Sequence, residues 1–246
     1  MTDLDRDVGV IVVAAGSGRR FGNDPGPRKQ YRELAGVPVV LGALRPFLAH
    51  PRISECVLVL PREDVEDPPP FLAGLQVRLV AGGQDRHDSV RNGVGGFTKN
   101  PQLILVHDGA RPLVTRGLID RVIAAAESGV AAIPGIPVTD TLKEVGADGL
   151  VISTPDRDRF WQVQTPQGFP ADLLASVHSR AHIDGMGGTD DAALFEHYGY
   201  SVRVVEGDPS NLKVTRPIDL LIAEVVARRF SPPGHTAQSA TEHRKD

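Results

Sequence analysis

Apolar runs alternate with helix-compatible segments along most of the 246 residues of this chain. Six short runs rich in Val, Ile and Leu have the composition of buried strands: 8–13, 56–60, 77–80, 103–106, 131–136 and 202–205. Segments typical of helices lie between most of them: 39–49, 88–97, 116–127, 171–181, 190–197 and 217–229. This alternation predicts an α/β fold with a doubly wound, mostly parallel sheet. In such sheets, ligands bind beyond the carboxyl ends of the strands.

One region breaks the alternation. Residues 137–164 contain two short alternating runs around a Gly-Ala-Asp-Gly turn, which predicts a β-hairpin. The hairpin has no obvious partner strand in its own sheet, so we expect a protruding dimerisation arm, with a plain surface hairpin as the alternative. Three consecutive prolines in 64–70 predict a loop. The polar stretch 231–246 predicts a disordered tail, which leaves residues 8–230 as one domain.

Composition narrows the functional class. Hydrophobic residues make up 41% of the chain and the net charge is −4, so no bulk basic surface indicates a nucleic-acid partner. No apolar run approaches the roughly 18 residues of a membrane span. The polar, acidic N-terminus lacks a signal-peptide pattern, so we expect a cytoplasmic protein. The single cysteine, Cys56, has no internal disulfide partner.

The most informative segment follows the first predicted strand. There the chain continues as Ala-Ala-Gly-Ser-Gly over 14–18, and its two glycines let the backbone pass close to an anionic ligand. Four cations follow, Arg19, Arg20, Arg28 and Lys29. The loop fits neither the dinucleotide fingerprint nor the P-loop. A tight strand-to-helix turn is the alternative, but the added cations favour a polyphosphate site.

Seven motifs, in order along the chain, carry a family resemblance. They are Ala14-Ala-Gly-Ser-Gly-Arg-Arg-Phe21, Pro27-Arg-Lys-Gln-Tyr31, Gly82-Gly-Gln-Asp-Arg-His-Asp-Ser-Val90, Val106-His-Asp-Gly-Ala-Arg-Pro112, Thr165-Pro-Gln167, Thr189-Asp-Asp191 and Lys213-Val-Thr-Arg-Pro217. Together they resemble those of the 2-C-methyl-D-erythritol 4-phosphate cytidylyltransferases, nucleotidyltransferases of non-mevalonate isoprenoid synthesis. The resemblance covers residues 8–228. It implies a Rossmann-like nucleotidyltransferase fold, CTP and a polyol phosphate as substrates, Mg²⁺ or another divalent cation, and a homodimer that exchanges the 137–164 arm.

The implied reaction needs no general base. A phosphate oxygen of the acceptor attacks the α-phosphorus of CTP, and pyrophosphate leaves. That nucleophile is already an anion near neutral pH, because the second pKa of a phosphate monoester is about 6. Catalysis then depends on holding two anions in line and neutralising charge on the phosphoryl oxygens. Fixed cations and a divalent metal meet that demand.

The resemblance assigns roles residue by residue. Arg20 and Lys29 stabilise the transition state, and Arg28 is the alternative to Lys29. Asp108, at the end of a predicted strand, is the metal ligand. The acceptor is positioned by Arg111, Arg157, Thr165, Thr189 and Lys213, with Arg157 reaching across the dimer. CTP is bound by Ala14, Ala15, Gly16, Ser17, Gly18, Gly83, Gln84, Asp85, Ser89 and Gly109.

Structural explanations compete with some of these roles. The alternative for Ser89 is a place in the first turn of a helix, where its hydroxyl makes only a local hydrogen bond. The alternative for Asp108 is to cap the N-terminus of the following helix. The alternative for Arg157 is to form an ion pair at the surface. We expect His107 to be structural.

Two other functions remain open from the sequence. One is a cytidylyltransferase for another polyol phosphate, such as ribitol 5-phosphate, and the 189–191 and 211–213 segments favour methylerythritol phosphate over it. The other is a non-catalytic nucleotide-binding regulator. Retention of Arg20, Lys29, Asp108 and Lys213 together argues against a regulator, because binding alone would not need both a metal carboxylate and acceptor cations.

Overall fold

A computed structural model describes residues 7–16, 18, 21 and 26–230. The strands are β1 (Val8–Val13), β2 (Glu33–Leu34), β3 (Val37–Pro38), β4 (Ile53–Leu60), β5 (Arg78–Ala81), β6 (Leu103–Asp108), β7 (Ala131–Pro137), β8 (Glu144–Val145), β9 (Val151–Ser153), β10 (Trp161–Val163), β11 (Gln167–Pro170) and β12 (Val202–Glu206). The helices are α1 (Val39–Leu48), α2 (Arg62–Glu66), α3 (Arg86–Val94), α4 (Arg116–Ala126), α5 (Ala171–Asp184), α6 (Asp191–His197) and α7 (Pro217–Phe230). All six predicted strands and all six predicted helices are present.

The main sheet has eight strands and is mostly parallel. Its order is β10-β7-β11-β6-β1-β4-β5, and β12 pairs with β7. Parallel pairing joins β1 to β4 and β6, β4 to β5, and β12 to β7. Only β10 and β11 run antiparallel to their neighbours. The predicted fold class is therefore confirmed.

Hydrophobic clusters cover both faces of the sheet. Val8, Val10 and Val12 of β1 belong to the cluster that includes residues of α1 and α4. Ile11, which points to the opposite face, belongs to the cluster that includes residues of α3, α5 and α6. A strand that is buried on both faces must be apolar throughout, which explains the continuous run at the start of the chain.

The predicted hairpin is present but shorter than expected. Strands β8 and β9 pair antiparallel, with Leu150, Val151 and Ile152 of the tip region 69%, 59% and 65% exposed. The expectation that the whole 137–164 segment lacks a partner in the sheet is wrong, because β10 pairs with β7. The segment therefore leaves the sheet after β7 and rejoins it before β11.

The structure describes one of the two irregular segments predicted from the sequence, 64–70, and not the other, 231–246. The prediction of a loop over 64–70 is wrong in part. The first three of these residues complete α2, and the last begins a short 3-10 turn, Pro70–Leu72. The predicted tail, 231–246, lies outside the described residues. Across the part of the chain that the structure describes, the helices are too short or too polar to cross a membrane.

Candidate active site

A pocket with a volume of about 520 Å³ opens at the carboxyl ends of β1 and β6. Its walls are the loop after β1, the segment 83–86 with Ser89 of α3, and residues 108–110 after β6. Lys29, Gln30 and Lys213 complete the lining. All the described residues predicted to bind CTP line this pocket: Ala14, Ala15, Gly16, Gly18, Gly83, Gln84, Asp85, Ser89 and Gly109. The predicted residues Ser17 and Arg20 lie outside the described residues.

Two hydrogen bonds to backbone carbonyl oxygens hold the start of the glycine loop. The Gln30 side-chain amide donates to the carbonyl oxygen of Ala14 at 2.9 Å, and the Gly109 N–H donates to that of Val13 at 2.9 Å. A Cβ atom on Gly109 would lie 2.9 Å from the Cβ of Ala14 and 3.1 Å from the Val13 oxygen. Glycine at position 109 therefore lets the loops after β1 and β6 approach each other.

The segment before α3 is ordered by its own side chains. Asp85 caps α3, since its carboxylate accepts from the N–H of Asp88 at 2.8 Å. The Ser89 hydroxyl donates to the Asp85 carbonyl at 2.7 Å and accepts from the Gly83 N–H at 3.1 Å. The local bond considered for Ser89 is thus present, and it fixes the backbone of the pocket wall at Gly83 and Asp85.

Asp108 lines the pocket and contacts three cations. Its carboxylate oxygens are 2.7 Å from Nζ of Lys213, 3.4 Å from Nε of Arg86 and 3.8 Å from Nε of Arg111. Burial alone would raise the pKa of Asp108, but Arg86, Lys213 and Arg111 hold it well below its usual value. The carboxylate is therefore charged throughout the physiological pH range. The N-cap alternative is wrong, because Thr115 caps α4.

Arg86 is a pocket residue that the sequence interpretation missed. Its Nη1 lies 2.6 Å from the fully buried carboxylate of Asp191, while its Nε faces Asp108. Burial would lower the pKa of Arg86, but the two carboxylates raise it above its usual value. The available signal was its position one residue after the helix cap Asp85, inside a motif already singled out.

Comparison with known proteins assigns this chain to a family. The sequence model of 2-C-methyl-D-erythritol 4-phosphate cytidylyltransferase (IspD) matches residues 8–229. The chain belongs to this family. A relative of that name from Symbiobacterium thermophilum is 43% identical over 225 residues, which cover 91% of this chain and 94% of the relative. One from Parasynechococcus marenigrum is 43% identical over 222 residues, covering 88% and 96%.

Solved structures agree with the family and the fold. The 4-diphosphocytidyl-2C-methyl-D-erythritol synthase of Anaerococcus prevotii superposes with a TM-score of 0.80 at 30% identity, covering 92% of this chain and 97% of that one. The cytidylyltransferase of Thermus thermophilus gives 0.75 at 34% identity, covering 89% and 98%. As a cytidylyltransferase family member, the chain is a nucleotidyltransferase enzyme.

The structure separates the two candidate cations that follow the glycine loop. Lys29 lines the pocket. Arg28 does not, and its guanidinium instead pairs with Glu63 and lies 4.0 Å from Asp64 on α2. Because Lys29 lines the pocket and Arg28 does not, this geometry favours Lys29.

Two predicted acceptor residues are buried beside Asp108 and do not line the pocket. The Thr165 hydroxyl accepts from the Asp108 N–H at 3.0 Å and bonds Nδ1 of His107 at 3.0 Å. Arg111 donates to the Asn211 carbonyl at 2.7 Å. Burial lowers the pKa of His107 to about 4, so its ring is neutral, in keeping with the structural role expected for it. In this structure Thr165 therefore holds the Asp108 backbone, and Arg111 forms an ion pair with the Asp108 carboxylate.

The other three predicted acceptor residues differ in whether they line the pocket. Lys213 lines the pocket, whereas Arg157 and Thr189 do not. Arg157 is exposed in the short turn after β9 and donates to the Thr139 carbonyl at 2.7 Å. Thr189 is exposed just before α6. Within one chain, the structure therefore does not bring Arg157 to the pocket.

Asp108 also meets the requirements for a Mg²⁺ ligand. Mg²⁺ in nucleotide sites takes one or two carboxylates and completes its coordination with phosphate oxygens and water. The Asp108 carboxylate is charged and lines the pocket. Lys213, which occupies one of its oxygens, has a side chain that is 36% exposed and therefore has room to move.

Proposed function

We propose that this pocket is where the chain transfers a cytidylyl group from CTP to 2-C-methyl-D-erythritol 4-phosphate. The products are 4-diphosphocytidyl-2-C-methyl-D-erythritol and pyrophosphate. The observation that carries the proposal is the convergence, at one pocket, of a glycine loop, a lysine beside it and the Asp108–Lys213 pair.

The pocket has room and chemistry for the nucleotide. We assign the triphosphate to the loop 14–18, where, apart from its chain neighbours, Gly16 has no atom of the described residues within 4 Å of the place a Cβ would occupy. Gly18 adopts a φ of 68°, a conformation that favours glycine. We assign the cytosine to the 83–89 wall, whose backbone is held by Ser89. Gln84 and Asp85 also face this side of the pocket.

Charge neutralisation is the main catalytic task of the chain's own residues. Lys29 is placed to bind the phosphoryl oxygens as charge shifts towards pyrophosphate. Arg20 keeps the same role as a prediction from the family motif. Lys213 is placed to orient the acceptor phosphate, which is already an anion and needs no base. The contact between Lys213 and Asp108 then gives way to one between Lys213 and the acceptor.

We propose Mg²⁺ as the cofactor, with Asp108 as its protein ligand. When bound, the ion would neutralise charge on the phosphates and help to align them. Arg86 and Arg111 would keep the Asp108 carboxylate oriented from the protein side. The cytoplasmic location expected from the sequence stays a prediction.

We also propose a homodimer through the 137–164 arm. Arg157 lies on this segment, outside the pocket of its own chain. The exposed apolar side chains of Leu150, Val151 and Ile152 give the arm a surface suited to a partner subunit. In a dimer that exchanges arms, Arg157 would complete the acceptor site of the other subunit.

The activity is tested by pyrophosphate release from CTP, with methylerythritol phosphate and ribitol 5-phosphate assayed in parallel. We expect turnover with the first acceptor and little with the second. Lys213→Met should raise the KM for the acceptor, whereas the exposed Lys99→Met should not change it. Preferred turnover of ribitol 5-phosphate would overturn the acceptor assignment, and absence of turnover with both would overturn the function.

The arm is tested by complementation between two inactive variants, Lys29→Ala and Arg157→Ala. After subunit exchange, one site of each mixed dimer combines an intact glycine loop with an intact arm. Random pairing should then restore about a quarter of wild-type activity if the sites act independently. No recovery after verified exchange would show that Arg157 serves its own chain.

A further inference from the structure

A second pocket, of about 160 Å³, lies outside the CTP pocket, next to the first turn of α3 and the C-terminal half of α5. Three potential metal ligands meet beside it: His87 in the first turn of α3 and His178 in α5, which line the pocket, and Asp191 at the first position of α6. One ligand atom from each lies within 4.8 Å of the others. Among the described residues, no other group of three His, Cys, Asp or Glu side chains meets this criterion.

The atoms that face one another lack hydrogen-bond partners. Nδ1 of His87, Nε2 of His178 and Oδ1 of Asp191 are all buried and form no hydrogen bond. His178 and Asp191 are 2% and 0% exposed, and Nε2 of His178 lies 3.1 Å from Oδ1 of Asp191. An unsatisfied buried polar atom costs about 1–3 kcal/mol. One bound ion would satisfy all three residues at once.

In two of the three residues, His87 and Asp191, the other polar atom of the side chain already has a hydrogen-bond partner. Nε2 of His87 lies 2.6 Å from the carbonyl oxygen of Gly188 and 2.7 Å from its backbone nitrogen; in the tautomer that donates from Nε2 to the carbonyl, Nδ1 keeps a lone pair for a metal ion. Oδ2 of Asp191 accepts from Arg86 at 2.6 Å, which leaves Oδ1 for the cluster. Metal-binding histidines commonly donate their second N–H to a backbone carbonyl in this way.

We propose that His87, His178 and Asp191 form a second metal site, for a divalent transition metal of the Zn²⁺ class. Two imidazole nitrogens and one carboxylate suit Zn²⁺ and other transition metals, whereas Mg²⁺ prefers oxygen ligands. Water from the adjoining pocket completes the coordination. The ion is separate from the one that Asp108 would hold.

The position of the site indicates a structural role. The three ligands come from α3, α5 and α6, so a bound ion joins three helices on one face of the sheet. Because Arg86 bridges Asp191 and Asp108, the ion also helps to hold Arg86 at the wall of the CTP pocket. Binding to the folded state alone raises the unfolding temperature with metal concentration.

The test uses the full chain, freed of metal with a chelator and titrated with Zn²⁺ in excess Mg²⁺. Calorimetry should give one Zn²⁺ per chain, and the unfolding temperature should rise with Zn²⁺. Loss of an outer partner of a metal ligand typically costs 10–100-fold in affinity, so loss of a ligand should cost about 100-fold or more. We expect that loss in His87→Gln and in His178→Gln, and no change in the exposed control His197→Gln.

The proposal fails if the wild-type chain binds no stoichiometric Zn²⁺, or if both glutamine variants bind it as tightly as the wild type. The second result would place the ion elsewhere on the chain. Should the variants not fold, Co²⁺ absorption of the wild-type protein decides the question. Bands of a nitrogen-ligated, low-coordinate ion support the site, and a spectrum like that of hydrated Co²⁺ overturns it.

Discussion

Replacing Asp108 with asparagine removes the carboxylate that three cations share. The Asp108 carboxylate contacts Lys213 at 2.7 Å, Arg86 at 3.4 Å and Arg111 at 3.8 Å. Arg86 keeps Asp191 as a second partner, but no other ion pair is recorded for Arg111 among the described residues. The variant therefore leaves a buried cation without its counter-charge.

The size of the effect follows from burial. Removing one partner of a buried ion pair costs about 3–5 kcal/mol, and exposed pairs cost below about 1 kcal/mol. Asp108 is 8% exposed, but Lys213 is partly exposed and Arg86 retains Asp191, so we expect a loss of about 3 kcal/mol. With a urea m-value near 3 kcal/mol/M, the unfolding midpoint should fall by about 1 M.

The assay is urea unfolding of Asp108→Asn at pH 7, with Asp67→Asn as an exposed control expected to stay within about 0.5 kcal/mol of wild type. Adding Lys213→Met to the variant removes one of the stranded cations. The double variant should therefore be more stable than the sum of the single effects, by about 1 kcal/mol or more. Strict additivity, or an Asp108 variant as stable as the control, would refute the electrostatic account.

The pH dependence gives an independent check. The pKa of Asp108 is lower in the folded protein than in the unfolded chain. Such a group stabilises the fold above its unfolded pKa of about 4, and this contribution is lost as the pH falls towards the folded pKa. The stability gap between wild type and Asp108→Asn should thus be constant from about pH 5 to 8 and narrow below about pH 4.

Three shorter predictions test other parts of the site. Lys29→Ala should lower kcat by about 10²–10³ with little change in the KM for CTP, while Arg28→Ala should retain most activity; equal losses would show that both act on the phosphates. Gly16→Ala should fold normally and weaken CTP binding, because its methyl group enters the open pocket, and Gly117→Ala on α4 is the control; unchanged binding would move the triphosphate away from the loop. Thr165→Val leaves the Asp108 N–H unpaired and should lower the free energy of unfolding by about 1–3 kcal/mol, whereas Thr165→Ser should not; equal unfolding curves would discount this bond.

Local pattern was enough to predict six strands and six helices of the fold. Strand β1 matches the prediction at both ends, because a strand buried on both faces is apolar at every position. By contrast, β11 escaped prediction although it lies at the centre of the sheet. Its sequence, Gln-Gly-Phe-Pro, has no apolar run, and it is a strand because β6 and β7 lie on either side of it.

In the candidate site too, some residues could be predicted from the sequence and others could not. Its glycine loop, Lys29 and Asp108 could be found in the sequence, because a glycine-rich turn, a cation and a carboxylate at strand ends have chemistry that short motifs express. Arg86 could not be assigned, because its partners Asp108 and Asp191 lie 22 and 105 residues away.

Only the tertiary structure shows that Thr165 supports Asp108 and that His87, His178 and Asp191 meet. The physical reason is that periodicity reports which face of an element is buried. Which distant side chains meet at that face depends on how helices and strands pack, and this the sequence pattern alone does not record.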